Sequence, residues 1–403
     1  MKNVFVAQSG GPTVAINASL AGVIEGAMSE GFDKVYGAVN GVTGILNDQF
    51  IDLTEQVAKD SGFLARLKST PAMYLGSCRY KLPTAEDSKE TYEFIFKQFE
   101  KYEVEACFYI GGNDSMDTVL KLSAYGESIG SKVRIMGVPK TIDNDLCMID
   151  HTPGFGSAAK YIATTMLEVA HDTFIYALKS VTIVEIMGRD AGWLTASAAL
   201  ARNDYNQAPH LIYLPEVAFD RNQFVSDVKA LLDKTDNVII AISEGIHDAE
   251  GNYISATTAA ADTFGHSQLS GAGKALECIV KDEIGCKVRS IEVNVLQRAA
   301  AHMQSATDIN ESVMLGRKAV EFAASGVTAS MANLTRTSNA PYTVEYGYAQ
   351  IANIANEAKS VPREWINAAG NDVTTEMIEY LRPLIMGETA VEYKDGLPVY
   401  AFK

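Results

Sequence analysis

Short apolar runs that stop at a glycine and open into helix-length amphipathic stretches recur along this chain, and they restrict its fold more than any other feature. The run Val4-Phe5-Val6-Ala7 leads to Gly10-Gly11 and then to a helical pattern over residues 15–29. Residues 106–110 end at Gly111-Gly112, and a second helical pattern covers 115–125. Residues 34–39, 133–138, 181–187, 210–214 and 238–242 read as further strands, and 88–99 and 157–170 as further helices. Strand-length runs of β-branched and aromatic residues alternating with helices predict parallel sheets with helices on both faces. A chain of 403 residues suggests two or three domains or one elaborated α/β unit, and no low-complexity linker divides it. The expectation is two intimately joined α/β domains with a cleft between them. The tail from Gln350 reads as mainly helical, broken at Val361-Pro362.

Charge narrows the function. The chain carries 34 basic and 50 acidic side chains, a net charge of −16. Nucleic acid and anionic membranes would be repelled over most of such a surface, so neither is an expected partner. No stretch of ~18 apolar residues and no signal-peptide core is present, so a cytoplasmic location is expected. The 5 cysteines are dispersed and never form Cys-x-x-Cys, which argues against a disulfide framework or a zinc site. If the chain handles phosphates, a few cations must do it locally.

The motifs point to phosphate chemistry. At the carboxyl ends of parallel strands, glycines let backbone N–H groups approach an anion where the next helix begins. Gly10-Gly11, Gly111-Gly112 and Met187-Gly188-Arg189 all occupy such places, although turns need glycine in any case. The dinucleotide-binding spacing is missing, and Gly273-Lys274 is followed by alanine, so no P-loop is present. Directly after the 133–138 strand comes Pro139-Lys140-Thr141-Ile142-Asp143-Asn144-Asp145. Its two carboxylates could divide proton transfer and ligand orientation while the lysine neutralises phosphoryl oxygens. A polar turn would also use Asp-Asn-Asp. Arg79, Arg189, Arg289 and Arg298 have the planar fork that suits phosphate, though a surface salt bridge is the commoner use of any single arginine. Glu244, at a strand end, could accept hydrogen bonds from sugar hydroxyls or cap a helix.

Taken together, these segments resemble the phosphofructokinase family from Val4 to at least Arg298. The resemblance rests on Ser9-Gly10-Gly11 with Asn17, Gly76-Ser77-Cys78-Arg79, Gly111-Gly112-Asn113-Asp114-Ser115, the 139–145 segment, Met187-Gly188-Arg189, Ser243-Glu244-Gly245 and Leu296-Gln297-Arg298. It implies two Rossmann-like three-layer αβα domains with mainly parallel sheets and the active site in the cleft between them. Residues 1–150 plus roughly 297–345 would form a phosphoryl-donor domain, and 151–296 plus roughly 346–403 a sugar-phosphate domain. The implied reaction is transfer of a phosphoryl group to the 1-hydroxyl of fructose 6-phosphate, with magnesium. By resemblance, Asp143 is the catalytic base, Asp145 the supporting carboxylate, and Thr141 flanks the reacting groups. Arg79 and Lys140 contact the transferring phosphate, and Gly10, Gly11, Gly112, Asn113 and Asp114 line the donor site. Met187, Gly188, Arg189 and Glu244 contact the sugar phosphate together with Thr141 and Asp143. Arg289 and Arg298 hold the 6-phosphate, Arg289 from a neighbouring subunit, which implies a homodimer or homotetramer.

Two positions bear on the donor. ATP-using relatives usually have glycine where this chain has Asp114 and Lys140. A carboxylate at 114 would meet the α-phosphate of ATP at a cost of about 4 kcal/mol, roughly a thousandfold in affinity. Lys140 offers a cation to a small, highly charged donor, and the pair looks like the diphosphate-dependent branch. The tail elements at 361–366 and 380–385 resemble that branch too. The rivals are an ATP-dependent enzyme and a non-catalytic regulatory subunit of the same fold. The chain departs from the family at Asn113, where an aspartate associated with magnesium is usual and an amide is a weaker ligand, so magnesium could rest more on Asp114, the Asp143–Asp145 loop and diphosphate itself. It departs again at Ser180, where a second trans-subunit arginine is usual with Lys179 beside it here, and at Val295, where histidine is usual.

Overall fold

A computed structural model of the chain describes residues 3–78, 80–254, 257–261, 267–355 and 357–403. Its strands are β1 (Asn3–Gln8), β2 (Val35–Ala38), β3 (Phe50–Asp52), β4 (Val104–Gly111), β5 (Arg134–Pro139), β6 (Ser180–Ile186), β7 (Leu211–Tyr213), β8 (Asn237–Ser243), β9 (Thr257–Ala261), β10 (Ser267–Ser270), β11 (Lys287–Glu292), β12 (Ser330–Asn339) and β13 (Tyr342–Gln350). A 7-stranded sheet has the order β13-β12-β5-β4-β1-β2-β3, and a 4-stranded sheet the order β11-β6-β8-β7. The smaller sheet is parallel throughout. The larger one is parallel from β2 to β12 and antiparallel at its two outer pairs. The expected α/β architecture, two sheets flanked by helices, is therefore present.

The central strands earn their place by burial. Val4, Phe5, Val6, Phe108 and Ile110 are fully buried, as strands covered on both faces must be. Phe5 packs against Phe50, Phe99 and Tyr102 in an aromatic group on one face. Across that sheet run helices Ile16–Ser29 and Ala306–Ala324, which approach backbone to backbone. A Cβ on Gly22 would lie 2.1 Å from the Val313 carbonyl oxygen, and one on Gly316 would lie 2.3 Å from that of Ser19. This reciprocal glycine contact brings a late helix onto the first sheet, whose core includes Leu315, Val320 and Met331. Residues Val361, Ile366, Met377, Tyr380 and Leu384 belong instead to the core beside β6 and β8.

The tail is not mainly helical. After Gln350 it makes short 3-10 turns, one helix, Thr375–Leu381, and a small antiparallel pair of strands, Tyr393–Lys394 and Leu397–Pro398. Pro362, Gly370 and Pro383 interrupt helical hydrogen bonding, and packing onto the two sheets replaces it. Sequence reading also missed the β12–β13 hairpin, whose outer half alternates exposed and half-buried residues because only one of its faces is covered.

Between Pro139 and helix Phe155–Phe174 the chain forms neither helix nor strand apart from isolated bridges, and a buried polar group behind it supplies the hydrogen bonds that a ladder would. His151 lies 2.7 Å from both Asp150 Oδ1 and Glu311 Oε2, and the Tyr342 hydroxyl donates to Glu311 Oε1 at 2.6 Å. Arg336 donates to Asp150 Oδ1 at 2.9 Å and stacks on the Tyr380 ring. Burial alone would lower the His151 pKa, but Glu311 and Asp150 outweigh it and raise the value above 6.5. A raised histidine pKa contributes stability below the unfolded value and loses it as pH rises through the folded one. Wild type should therefore exceed His151→Gln most clearly below pH 6.5, by about 1–3 kcal/mol. That margin should shrink as pH rises, measured by denaturant unfolding of both proteins. A margin that grows with pH would refute the assignment.

Candidate active site

The ends of the central strands are level with one another. Gln8 of β1 pairs with Ile110 of β4, and Gly111 pairs with Pro139 of β5, so their loops open side by side. On the second sheet Ile186 and Ser243 pair at the ends of β6 and β8, which sets Met187 beside Glu244. The two sets of loops face each other across a cleft of about 510 Å³. Gly10, Gly11, Gly112, Asn113, Asp114, Lys140, Thr141, Asp143, Asp145, Met187, Arg189, Glu244 and Arg298 all line it.

Lys140 is the centre of the donor side. Only 2% exposed, it donates from Nζ to the Gly11 carbonyl at 2.6 Å. Gly10 holds φ at +82°, and a Cβ there would lie 3.2 Å from that amine, so the turn requires glycine on both counts. Burial lowers the Lys140 pKa to about 8, against the opposing pull of Asp143 and Asp145. Arg298 joins the same place: a Cβ on Gly11 would lie 3.3 Å from its Nη1. Expected among the sugar-phosphate contacts, Arg298 thus reaches across to the first glycine loop.

Asp143 and Asp145 are half-buried and act on each other electrostatically. Burial raises the pKa of Asp143, with Lys140 and Arg189 pulling it down, and burial together with Asp143 raises Asp145 to about 7. The charge of Asp143 thus disfavours ionisation of Asp145 beyond what burial does. Thr141 orients the pair: its hydroxyl donates to Asp143 Oδ2 at 3.4 Å and accepts the Asp143 N–H at 3.1 Å. Between the two aspartates, Asn144 adopts φ +55° and bonds through its side chain to Tyr380 and Thr152, which turns the carboxylates outward from a fixed point.

On the opposite wall, burial raises Glu244 to about 7, and its Oε1 accepts the Gly188 N–H at 3.4 Å. Gly188 itself shapes the turn, and the Ser243 hydroxyl donates to its carbonyl. Arg189 bonds to Asp190 at 3.1 Å, and the Met187 N–H donates to Gln297 at 3.3 Å. Asp190, Thr13, Ser115 and Ala358 also line the cleft and were not selected from the sequence. For Asp190 a signal existed, since it directly follows Met-Gly-Arg.

Not every expected residue reaches the cleft. Arg289 stands on the edge strand β11, paired with Asp172 at 3.4 Å, outside the cleft of this chain. It is on a strand and not in a loop of the site. Lys179 donates to the Leu232 carbonyl at 2.7 Å, beside helix Arg221–Leu232. Asn17 is structural: it bridges Gln8, Thr70 and Tyr74. Asn113 donates its amide N–H to the Glu357 carbonyl at 2.7 Å. Arg79 lies outside the described residues.

The cleft is not a basic pocket. Its described lining holds Lys140, Arg189 and Arg298 against Asp114, Asp143, Asp145, Asp190 and Glu244. An anion entering here is better accommodated with a divalent cation than alone. No three His, Cys, Asp or Glu side chains among the described residues are grouped to hold a metal unaided. Magnesium suits such a site, because it takes one or two carboxylates and completes its shell with phosphate oxygens and water.

Comparison with known proteins agrees with this geometry. The family model described as Phosphofructokinase matches residues 3–323. A pyrophosphate--fructose 6-phosphate 1-phosphotransferase of Halomonas elongata is 40% identical over 403 residues, covering 99% of this chain and 95% of that one. The protein of the same description from Xanthomonas campestris is 41% identical over 401 residues, with the same coverage of 99% and 95%. The crystal structure of a pyrophosphate-dependent phosphofructokinase from Marinobacter aquaeolei superposes with a TM-score of 0.88 at 36% identity, covering 99% of this chain and 95% of that one.

The lowered pKa of Lys140 has a sign that can be measured. Between about 8 and 10.5 the folded chain holds fewer protons at this residue than the unfolded chain does. Wild type should therefore gain stability relative to Lys140→Met as pH is raised through that interval, by up to about 3 kcal/mol. Paired urea titrations across the interval test this, and a margin that falls with pH would show that the ammonium is not desolvated.

Proposed function

Because the chain belongs to the phosphofructokinase family, we propose that it transfers a phosphoryl group reversibly from diphosphate to the 1-hydroxyl of fructose 6-phosphate. The products are fructose 1,6-bisphosphate and orthophosphate, in glycolysis and gluconeogenesis. The observation that carries the reading is Lys140, a buried ammonium between the first glycine loop and the Asp143–Asp145 pair. It supports a compact, highly charged donor, and Asp114 at the start of helix Asn113–Ser128 would oppose the extra phosphate of ATP. Relatives at about 40% identity, named for diphosphate use, support the same donor.

The unit on the larger sheet presents the donor, and the unit on the smaller sheet holds the sugar phosphate. Asp143 accepts the proton of the 1-hydroxyl as its oxygen bonds to phosphorus and the bridging P–O bond breaks. Its raised pKa makes it a stronger base than a surface carboxylate. Lys140, Arg298 and the N–H groups of the glycine loops meet the charge of the transferring phosphoryl and of the departing orthophosphate. Glu244 and Arg189 orient the sugar phosphate. Asp114 and diphosphate oxygens would hold magnesium, which supplies neutralising charge to the donor when bound. Arg289, facing outward in one chain, serves the site of a neighbour, so the active species is a homodimer or homotetramer in the cytoplasm.

Initial rates with diphosphate and with ATP, each with magnesium, decide the donor, and ATP should be slower by roughly a thousandfold. Asp143→Ser should lower kcat by about 10²–10⁴ while the KM for fructose 6-phosphate stays near wild type. Unchanged turnover in that variant would remove Asp143 from the mechanism. With magnesium-diphosphate, kcat/KM should fall above about pH 8 as Lys140 loses its proton. Lys140→Arg should move that alkaline limb upward, and since the substrate ionises identically in both assays, an unmoved limb would exclude Lys140 as its source.

A further inference from the structure

The loop 140–154 carries the reacting aspartates and has unusually little backbone support. Asn144 and Met148 both take positive φ, at 55° and 61°, which removes them from any regular hydrogen-bonding pattern. Its carbonyls must be held from outside, and the tail supplies much of what holds them. Residues 357–361 run beside the cleft as a strap, with Ala358 in its lining. Ala358 bridges antiparallel to Leu146, and the Lys359 N–H donates to the Asp145 carbonyl at 2.7 Å. The Lys359 amine then donates to the carbonyls of Ile149 and Asp150, at 3.1 and 2.6 Å. One residue thus grips the loop immediately at Asp145 and again at its far end.

The strap reaches the other two parts of the site as well. The Glu357 carbonyl accepts the Asn113 side chain of the donor loop at 2.7 Å. The Lys359 carbonyl accepts the Trp193 indole N–H at 2.9 Å. Glu216 Oε1 accepts both the Val361 N–H and the Gly192 N–H, at 2.9 and 2.8 Å, just after the turn that bears Arg189. The Asn113 contact also gives its amide a task that an aspartate could not perform, since a carboxylate has no N–H to donate.

We infer that the strap 357–361, with Lys359 as its anchor, is a positioning element of the reaction that holds the donor loop, the aspartate loop and the sugar-side turn in one register. Lys359 is a positioning residue: its hydrogen bonds go to the backbone carbonyls of Asp145, Ile149 and Asp150, and its charge also bears on the Asp145 carboxylate. The inference rests on the proposed phosphotransferase reading. Since misplacement of about 1 Å can cost two orders of magnitude in rate, loosening this register should appear in kcat and not in binding.

Steady-state kinetics of the full chain with diphosphate and fructose 6-phosphate test the inference in wild type, Lys359→Met and Lys359→Arg. Lys359→Met should lose about 10–100-fold in kcat with both KM values within about twofold of wild type, and Lys359→Arg should recover to within about fivefold. Glu216→Ala, which releases the far end of the strap without touching the cleft, should show the same split and carries the test if Lys359→Met does not fold. Wild-type kcat in Lys359→Met, a loss confined to KM, or an arginine no better than methionine would overturn the inference. Wild type inactive with diphosphate would overturn the functional reading itself, whereas an active wild type with unaltered variants would overturn only the role of the strap.

Discussion

Lys140 holds a positive charge where water does not reach it, and the arrangement of the cleft depends on that one desolvated ammonium. Its hydrogen bond to the Gly11 carbonyl ties the end of β5 to the end of β1, and its charge lies beside Asp143 and Asp145. Burial acts on all three groups in the same sense, weakening the charged form of each, so each is held partly in place by the others. Two carboxylates whose pKa values are raised and a lysine whose pKa is lowered form a poised set. A phosphate donor that enters with a divalent cation would balance the charges of this set.

What surrounds the set explains how an irregular loop can hold it. Buried ions cost stability unless geometry and hydrogen bonds satisfy them. Here Asp150, His151, Glu311, Tyr342, Arg336 and Tyr380 satisfy one another in a continuous group behind the loop, drawn from parts of the chain far apart in sequence. Thr141, Asp143 and Asp145 stand at alternate positions and all line the same cavity, as they would on one face of a strand, while the polar group packs behind the loop that carries them.

The sequence made the central strands and their glycine loops legible because a strand buried on both faces leaves a continuous apolar run, and β1, β4, β5, β6 and β8 all do so. It made Lys140, Asp143 and Asp145 legible because they directly follow such a run. Features set by contacts between distant residues were not legible. The β12–β13 hairpin is covered on one face and reads as weak polar alternation, and the tail has no periodicity of its own because packing holds it. Arg298 could be placed in the site but not on its donor side, because the turn after β11 decides its reach. Lys359 looks like any surface lysine until the fold sets two carbonyls before its amine. Asn113 read as a departure from a family pattern, and only the Glu357 carbonyl gives the amide a reason.

The path of the chain between the two sheets carries a further consequence. The helix Ala306–Ala324 and strands β12 and β13 complete the first core although they follow every strand of the second sheet, and residues 361–384 return to the second core. Each core therefore closes only when late segments arrive, and the loop between Pro139 and helix Phe155–Phe174 is fixed by both kinds: Glu311, Arg336 and Tyr342 from the first return, Lys359 and Tyr380 from the second. A loop held in this way cannot reach its working geometry before both cores have formed. The cleft is thus a product of the joined units and not of either alone, and charges as costly to bury as Lys140 and Asp143 become buried only when the partners that stabilise them are in place.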